Sequence, residues 1–306
     1  MTCTEETQVA RIIKLNDGSK MPVLGLGTWK PSHLPHTTLQ GAVEAAIAAG
    51  YRHIDTAVFY DNEVEIGKAL RSKIQQGIIR RQDMFIVSKL LCTCDKPEGI
   101  SLSLNKSLTN LQLDYLDLYL IHEPTGLKKM DEEHSPRKDG HFETSDMDYE
   151  GVWMEMEGLQ ASGKVRSIGV SNFNTEQLEK LLSFCKVPPA VNQVELHLHQ
   201  AQHELTEFCK SRDIAITAHN PFGSPAKSPP VYREDMNSHN LLDEQLIANI
   251  ARKYKRSPSQ VLLRYYVQQG IAVIPRSYKS HHILENTKIF YFSLSEEDMT
   301  ALRGLK

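Results

Sequence analysis

Four polar residues stand at the ends of short apolar runs that do not themselves require them: Asp55 and Tyr60 in YRHIDTAVFYDNE (51–63), Lys89 in FIVSKL and His122 in LYLIHEP. A free phenol titrates near about 10, and a neighbouring ammonium lowers that value by favouring the phenolate. Tyr60 is therefore suited to give a proton to an oxygen that is gaining negative charge, with Lys89 stabilising that charge. Asp55 would keep Lys89 charged and in place, while the His122 ring would orient and polarise a carbonyl. Such a set performs acid catalysis of carbonyl reduction. No nucleophile with an attendant base, H-E-x-x-H run or paired-carboxylate spacing points to a hydrolase or a metal enzyme. Singly, each residue is more often a solvated strand end or a satisfied core group, so the set has meaning only if the fold gathers it.

The required elements are legible. Short apolar, β-branched runs alternate with helical patterns: LGLGTW, RHIDT, MFIVSKL, YLDLYLIH, VRSIGVSN, AVNQVEL, IAITAHNP and IAVIPRS are eight strands, each followed by helical periodicity. Two helices are expected across 243–270. Eight such units in one chain predict an α/β fold, a (β/α)8 TIM barrel over a single domain 1–306, with an open doubly wound sheet as the alternative. The Asn16-Asp17-Gly18 turn predicts an N-terminal capping β-hairpin. Two long loops, 123–148 and 222–242, follow strands and so fall at the C-terminal face, either as pocket walls or as surface excursions. That face would also receive Ser171-Asn172, Gln193, Glu195, His219-Asn220 and Arg276-Ser277.

Composition narrows the partners. With 35 Lys+Arg against 38 Asp+Glu and a formal charge of −3, no global field favours nucleic acid or a membrane surface. Five scattered cysteines without zinc-like spacing fit a reducing compartment. A polar N-terminus and the absence of a long apolar run lead to the expectation of a cytoplasmic location. Gly25-Leu26-Gly27 lacks the third glycine of a dinucleotide fingerprint. A phosphorylated ligand would instead sit on the loops after strands seven and eight, where Asn220-Pro221-Phe222-Gly223-Ser224 and Arg276-Ser277 followed by HHILEN occur.

From about Ile12 to Leu302 the chain resembles the aldo-keto reductases, through MPVLGLGTW, GYRHIDTAVFYDNE, VSKL, YLDLYLIH, IGVSNFN, NQVEL, IP-x-S and ILEN in the family's order and spacing. The resemblance implies a monomeric barrel that binds NADPH at its C-terminal mouth and reduces a small-molecule carbonyl. It makes Asp55, Tyr60, Lys89 and His122 the catalytic tetrad with Tyr60 as the acid. Ser171, Asn172 and Gln193 match carboxamide holders. Gly27, Thr28, Asn220, Phe222, Ser224, Arg276, Ser277, Tyr278, Glu285 and Asn286 match the rest of the cofactor site. Trp29, Phe59 and Glu123 fall on the substrate pocket, and no metal is implied. Among branches, RQDMFIVSKLLCTCDK and the H-I-x-E-N ending look most like the 1,5-anhydro-D-fructose reductases.

Departures from the family pattern shape further expectations. His219 stands where a stacking Tyr is usual, Glu123 and Leu91 replace aromatics, Arg276 replaces a Lys, and His282 replaces the Arg that pairs with the 2′-phosphate. The sequence given ends at ALRGLK, short of the tail that folds over the pocket in relatives, which leads to the expectation that either the mouth is more open or the tail is absent from the chain as given. NADPH is expected to remain preferred, by a reduced margin that widens as the pH falls, with NADH bound more weakly. The rival reading is a barrel kept for a structural or binding role, as in a lens crystallin or a channel-associated subunit.

Overall fold

The computed structural model describes residues 11–30, 34–91, 94, 96–127, 137–138, 141–142, 144–223 and 240–305. Eight parallel strands follow one another around a sheet: β1 (Leu26–Gly27), β2 (His53–Asp55), β3 (Phe85–Leu90), β4 (Leu116–Ile121), β5 (Val165–Ser171), β6 (Val191–Glu195), β7 (Ala215–His219) and β8 (Ala272–Val273). Parallel bridges Leu24–Val273 and Gly27–Arg276, with Gly25 N–H donating to Val273 O at 2.9 Å and Val273 N–H to Val23 O at 2.7 Å, join the last strand to the first. The sheet therefore closes, and the (β/α)8 barrel is the architecture, not the open sheet. Helices lie between successive strands, and β2, β3 and β4 are buried along their whole length, which is why they read as unbroken apolar runs.

Strand alternation explains how polar side chains come to the mouth. Successive residues of a strand face opposite sides, so Phe85, Val87 and Lys89 share one face of β3, and Leu118, Leu120 and His122 share that of β4. Phe85, Val87, Leu118, Leu120, Val191 and Ala272 form an apolar cluster with Leu15 and Met21 of the N-terminal hairpin. This fills the barrel interior at its N-terminal end. One step further along the same faces, Lys89 and His122 reach the other end. A much larger apolar layer lies between strands and helices and contains Ile54, Ile86, Tyr119, Trp153 and Ile216.

The hairpin pairs Ile12–Lys14 with Lys20–Pro22, as expected, and plugs the barrel floor through Asn16 Nδ2 to Pro189 O at 3.0 Å and Ser167 Oγ to Ser19 Oγ at 3.0 Å. Its turn is longer than a two-residue Asp-Gly turn. Leu15 N–H bonds Ser19 O, and Gly18 alone takes positive φ, at 89°. The helices expected across 243–270 are Gln245–Tyr254 and Pro258–Gln268. One helix was not anticipated, Glu296–Arg303, whose Ser295 hydroxyl accepts the Asp298 N–H. Within the 123–148 connection, Gly126–Leu127 pairs antiparallel with Thr144–Ser145; residues 128–136, 139–140, 143 and 224–239 lie outside the described residues.

Gly27 sits at the seam, where an added Cβ would stand 2.6 Å from Ile274 O. Backbone cannot retreat as a flexible side chain can, so Gly27→Ala is expected to destabilise the barrel by about 1–3 kcal/mol. Urea unfolding of parent and variant, with unchanged m-value and a lowered midpoint, checks this.

Candidate active site

Lys89 is the centre of the mouth. Its ammonium is 1% exposed and donates to Asp55 Oδ1 at 2.5 Å, to Thr56 O at 2.9 Å and to Tyr60 Oη at 3.5 Å. Asp55 ends β2 and Lys89 lies one residue short of the end of β3, so the pairing follows from strand adjacency, with Asp55 opposite Val87 in the register. A charge this deep needs a partner and further hydrogen bonds, and it has both. Tyr60 ends a short 3-10 turn, Val58–Tyr60, that turns the chain back over the strand ends. Its ring lies 5.2 Å from Lys89 Nζ and 5.7 Å from the His122 ring, edge on. The four residues read from the sequence as a proton-transfer set are thus together.

His122 is held neutral. Burial, then the charge of Lys89 and then His219, keeps its imidazole well below the usual range, and Nδ1 is buried without a hydrogen-bond partner among the described residues. Asp55 has a second support, since Gln193 Nε2 donates to its Oδ2 at 2.7 Å. Gln193, assigned from the resemblance to a carboxamide, therefore also fixes the carboxylate. Thr28 contributes below it: Oγ1 donates to Asp55 O at 2.8 Å, and Asn62 Nδ2 donates to Thr28 O at 2.8 Å. Sequence reasoning missed Asn62, whose buried position at the head of a helix gives no signal beyond a capping residue.

A second string of polar groups crosses the mouth from β4 to β7. Asn172, which follows β5 with φ of 62°, donates through Nδ2 to Glu123 Oε1 at 2.8 Å and to His122 O at 3.2 Å, and its Oδ1 lies 3.1 Å from His219 Nε2. Ser171 is buried at the end of β5. Burial pushes the Glu123 carboxyl up to about 7, with the Asn172 hydrogen bond and Lys89 opposing. Burial pulls His219 down to about 4, although Glu195 favours its charged form.

The remaining residues form an outer ring. Phe59 is exposed and stands 6.2 Å from the His122 ring; Trp29 is half-buried. The Arg276 guanidinium lies 4.8 Å from the Trp29 ring centre, and Tyr278 Oη donates to Trp29 O. Burial raises the Tyr278 phenol to about 12 in spite of Arg276. Asn220, with φ of 49°, donates to Glu195 Oε1 at 3.4 Å, and Phe222 is half-buried beside it. Ser277 Oγ accepts from Lys279 N–H at 3.2 Å. His282 is exposed, its ring 4.3 Å from that of His281. Glu285 is half-buried and its carbonyl accepts from Gln260, whereas Asn286 is buried with its amide against the Tyr51 hydroxyl. Gly27 is committed to the seam. Ser224 lies outside the described residues.

This arrangement has counterparts. The pattern of the Aldo/keto reductase family matches residues 23–306. The chain is 44% identical over 295 residues to aldo-keto reductase family 1 member C1 of Macaca fuscata fuscata, covering 96% of this chain and 90% of that one. It is 43% identical over 297 residues to prostaglandin F synthase 1 of Bos taurus, with the same coverage. Its fold superposes on the aldose reductase of Schistosoma japonicum with a TM-score of 0.85 at 38% identity, covering 95% and 91% of the two chains. None of these three relatives is named as an anhydrofructose reductase. With a matching pattern over nearly its whole length and relatives above 40% identity, the chain belongs to the aldo/keto reductase family.

Proposed function

We propose that this chain is an NADPH-dependent reductase of small aldehydes and ketones in which Tyr60 delivers the proton, acting as a single-domain monomer in the cytoplasm. The observation that carries the reading is the shared Lys89 ammonium, bonded at once to Asp55, to Thr56 O and to Tyr60 Oη. An ammonium at that distance stabilises the phenolate left when Tyr60 gives up its proton. Asp55, held from its other side by Gln193, fixes the ammonium, so no reorganisation is needed as charge develops. His122, neutral, can donate to the carbonyl oxygen without competing with Tyr60 as an acid.

The donor set fits a phosphorylated nicotinamide nucleotide. Arg276, Lys279 and His282 are exposed together beyond β8, an arrangement suited to a polyanion. His219, Asn172, Ser171 and Gln193 would hold the ring and carboxamide; Arg276, Ser277, His282, Phe222 and Ser224 the phosphates and adenosine side, with Asn220, Tyr278, Glu285 and Asn286 shaping those loops. When bound, the cofactor supplies a hydride to the carbonyl carbon. Trp29, Phe59 and Glu123 bound the space in front of Tyr60 and His122.

Consumption of NADPH with benzaldehyde tests the reading. Saturable turnover is expected; tight nucleotide binding with no turnover would favour the rival binding role. Cofactor choice gives a second test. An imidazole at His282 lacks the forked pair of N–H donors with which a guanidinium grips a phosphate, and one charge-assisted contact is worth about 1.5–3 kcal/mol, or roughly 10–150-fold. His282→Arg is expected to widen the ratio of NADH to NADPH dissociation constants by about tenfold or more. An unchanged ratio would mean that His282 does not meet the 2′-phosphate.

A further inference from the structure

Glu123 is a carboxyl group where the mouth has no structural need of one. It directly follows His122 and is half-buried beside it. Asn172 engages only one of its oxygens, at 2.8 Å, and the second accepts no hydrogen bond among the described residues. Asn172 is otherwise satisfied by His122 O and His219, so Glu123 is not the only anchor of that amide.

The surrounding charges make this carboxyl decisive. Lys89 and Asp55 form a buried ion pair, and Lys89 still favours the charged form of Glu123. His122 and His219 are held neutral by burial. Glu195 lies on the other side of His219, occupied by His197 at 3.5 Å and Asn220 at 3.4 Å. Tyr60 carries no charge before reaction in the proposed mechanism. Arg276, stacked on Trp29, is assigned to the cofactor phosphates. Among the described residues, Glu123 is the carboxyl that adjoins His122 with one oxygen unbonded, so its ionised form adds negative potential in front of the reacting carbonyl.

We propose that Glu123 is a specificity-determining residue, one that makes this mouth select carbonyl substrates bearing a cationic group over those bearing a carboxylate. The inference rests on the reductase reading above. In a site of reduced dielectric, a like charge brought against the Glu123 carboxylate is repelled and an opposite one attracted, whereas neutral substrates are little affected. The selection follows the ionisation of Glu123. Its carboxyl is raised by burial to about 7, so it is neutral below that value and anionic above it, and discrimination grows as the pH rises through it. Lys89, the charged group that acts on Glu123 most directly, opposes that rise and stays paired with Asp55.

The probes are benzaldehyde, 4-carboxybenzaldehyde and 4-(trimethylammonio)benzaldehyde, whose charges do not change between pH 6 and pH 8.5. The readout is kcat/KM with NADPH for parent and Glu123→Gln, each charged probe normalised to benzaldehyde. The cation-to-anion ratio of the parent at pH 8.5 is expected to exceed that of Glu123→Gln by roughly 10–100-fold, through opposite-charge attraction and like-charge repulsion together. In the parent it should shrink toward the variant's value at pH 6, a test that needs no variant at all. A normalised ratio equal in parent and variant and flat with pH, with turnover intact, overturns the inference and leaves the reductase reading standing. Absence of turnover of all three probes by the parent overturns both.

Discussion

Replacing Tyr60 by Phe is expected to lower kcat by roughly 10²–10⁴ while leaving nucleotide affinity nearly unchanged, the usual worth of one positioned acid. The variant removes a single oxygen. The aromatic ring would keep its edge contact with His122 and its place beside Lys89, so the site should remain assembled. A fall in kcat and kcat/KM together, with the KM for aldehyde changed little, identifies an interaction made in the transition state. Rates within about threefold of the parent would mean that another group donates the proton, and His122 would then be the residue to examine. Fluorescence titration with NADPH provides the control, because a variant that has lost the nucleotide site would fail there first.

Lys89→Met is expected to be worse, because it removes catalysis and stability at once. The methionine side chain fills much of the same volume but leaves Asp55 buried at 2% exposure with only Gln193 Nε2 on its carboxylate. Stripping one partner from a buried ion pair costs about 3–5 kcal/mol, since the other charge stays desolvated. Urea unfolding is expected to show a loss of that order, and activity to fall at least as far as in Tyr60→Phe. The double variant Asp55→Asn with Lys89→Met separates the two effects. It removes the orphaned charge, so much of the stability should return, while turnover should not. Equal stability of the single and double variants would show that the pair is not the source of the penalty.

The barrel was legible because parallel strands covered by helices carry a simple signal, a short apolar run ending in polar residues, eight times over. The position of the candidate site at the strand ends was legible from the same signal. Strand alternation brings Lys89 and His122 to the mouth, and their neighbours in the strand order follow. The spacing of residues could not supply the bonds across the barrel. Gln193 and Asp55 are 138 residues apart, and nothing local to either announces their 2.7 Å contact. The same holds for Asn172 with Glu123, 49 residues apart. The helix Glu296–Arg303 was a different kind of omission, because Ser295 followed by Glu296, Glu297 and Asp298 is a local start signal, an N-cap with acidic residues in the first turn. The shortened β1 and β8 reflect the glycines and Pro275 at the seam, which leave few consecutive residues able to extend the ladder.

That seam carries a kinetic consequence. Its bonds join residues about 250 positions apart in the chain, so closing it requires the largest loop-closure entropy of any step in the sheet. Every other neighbouring pair of strands can form as soon as both have been synthesised. Until Val273 and Pro275 arrive, β1 and β7 each present an unpaired edge, and an incomplete sheet of this kind is a template for the wrong partner. The N-terminal hairpin is bound by the same constraint, because Asn16 waits for Pro189. Slow refolding with a concentration-dependent yield is the behaviour this closure predicts.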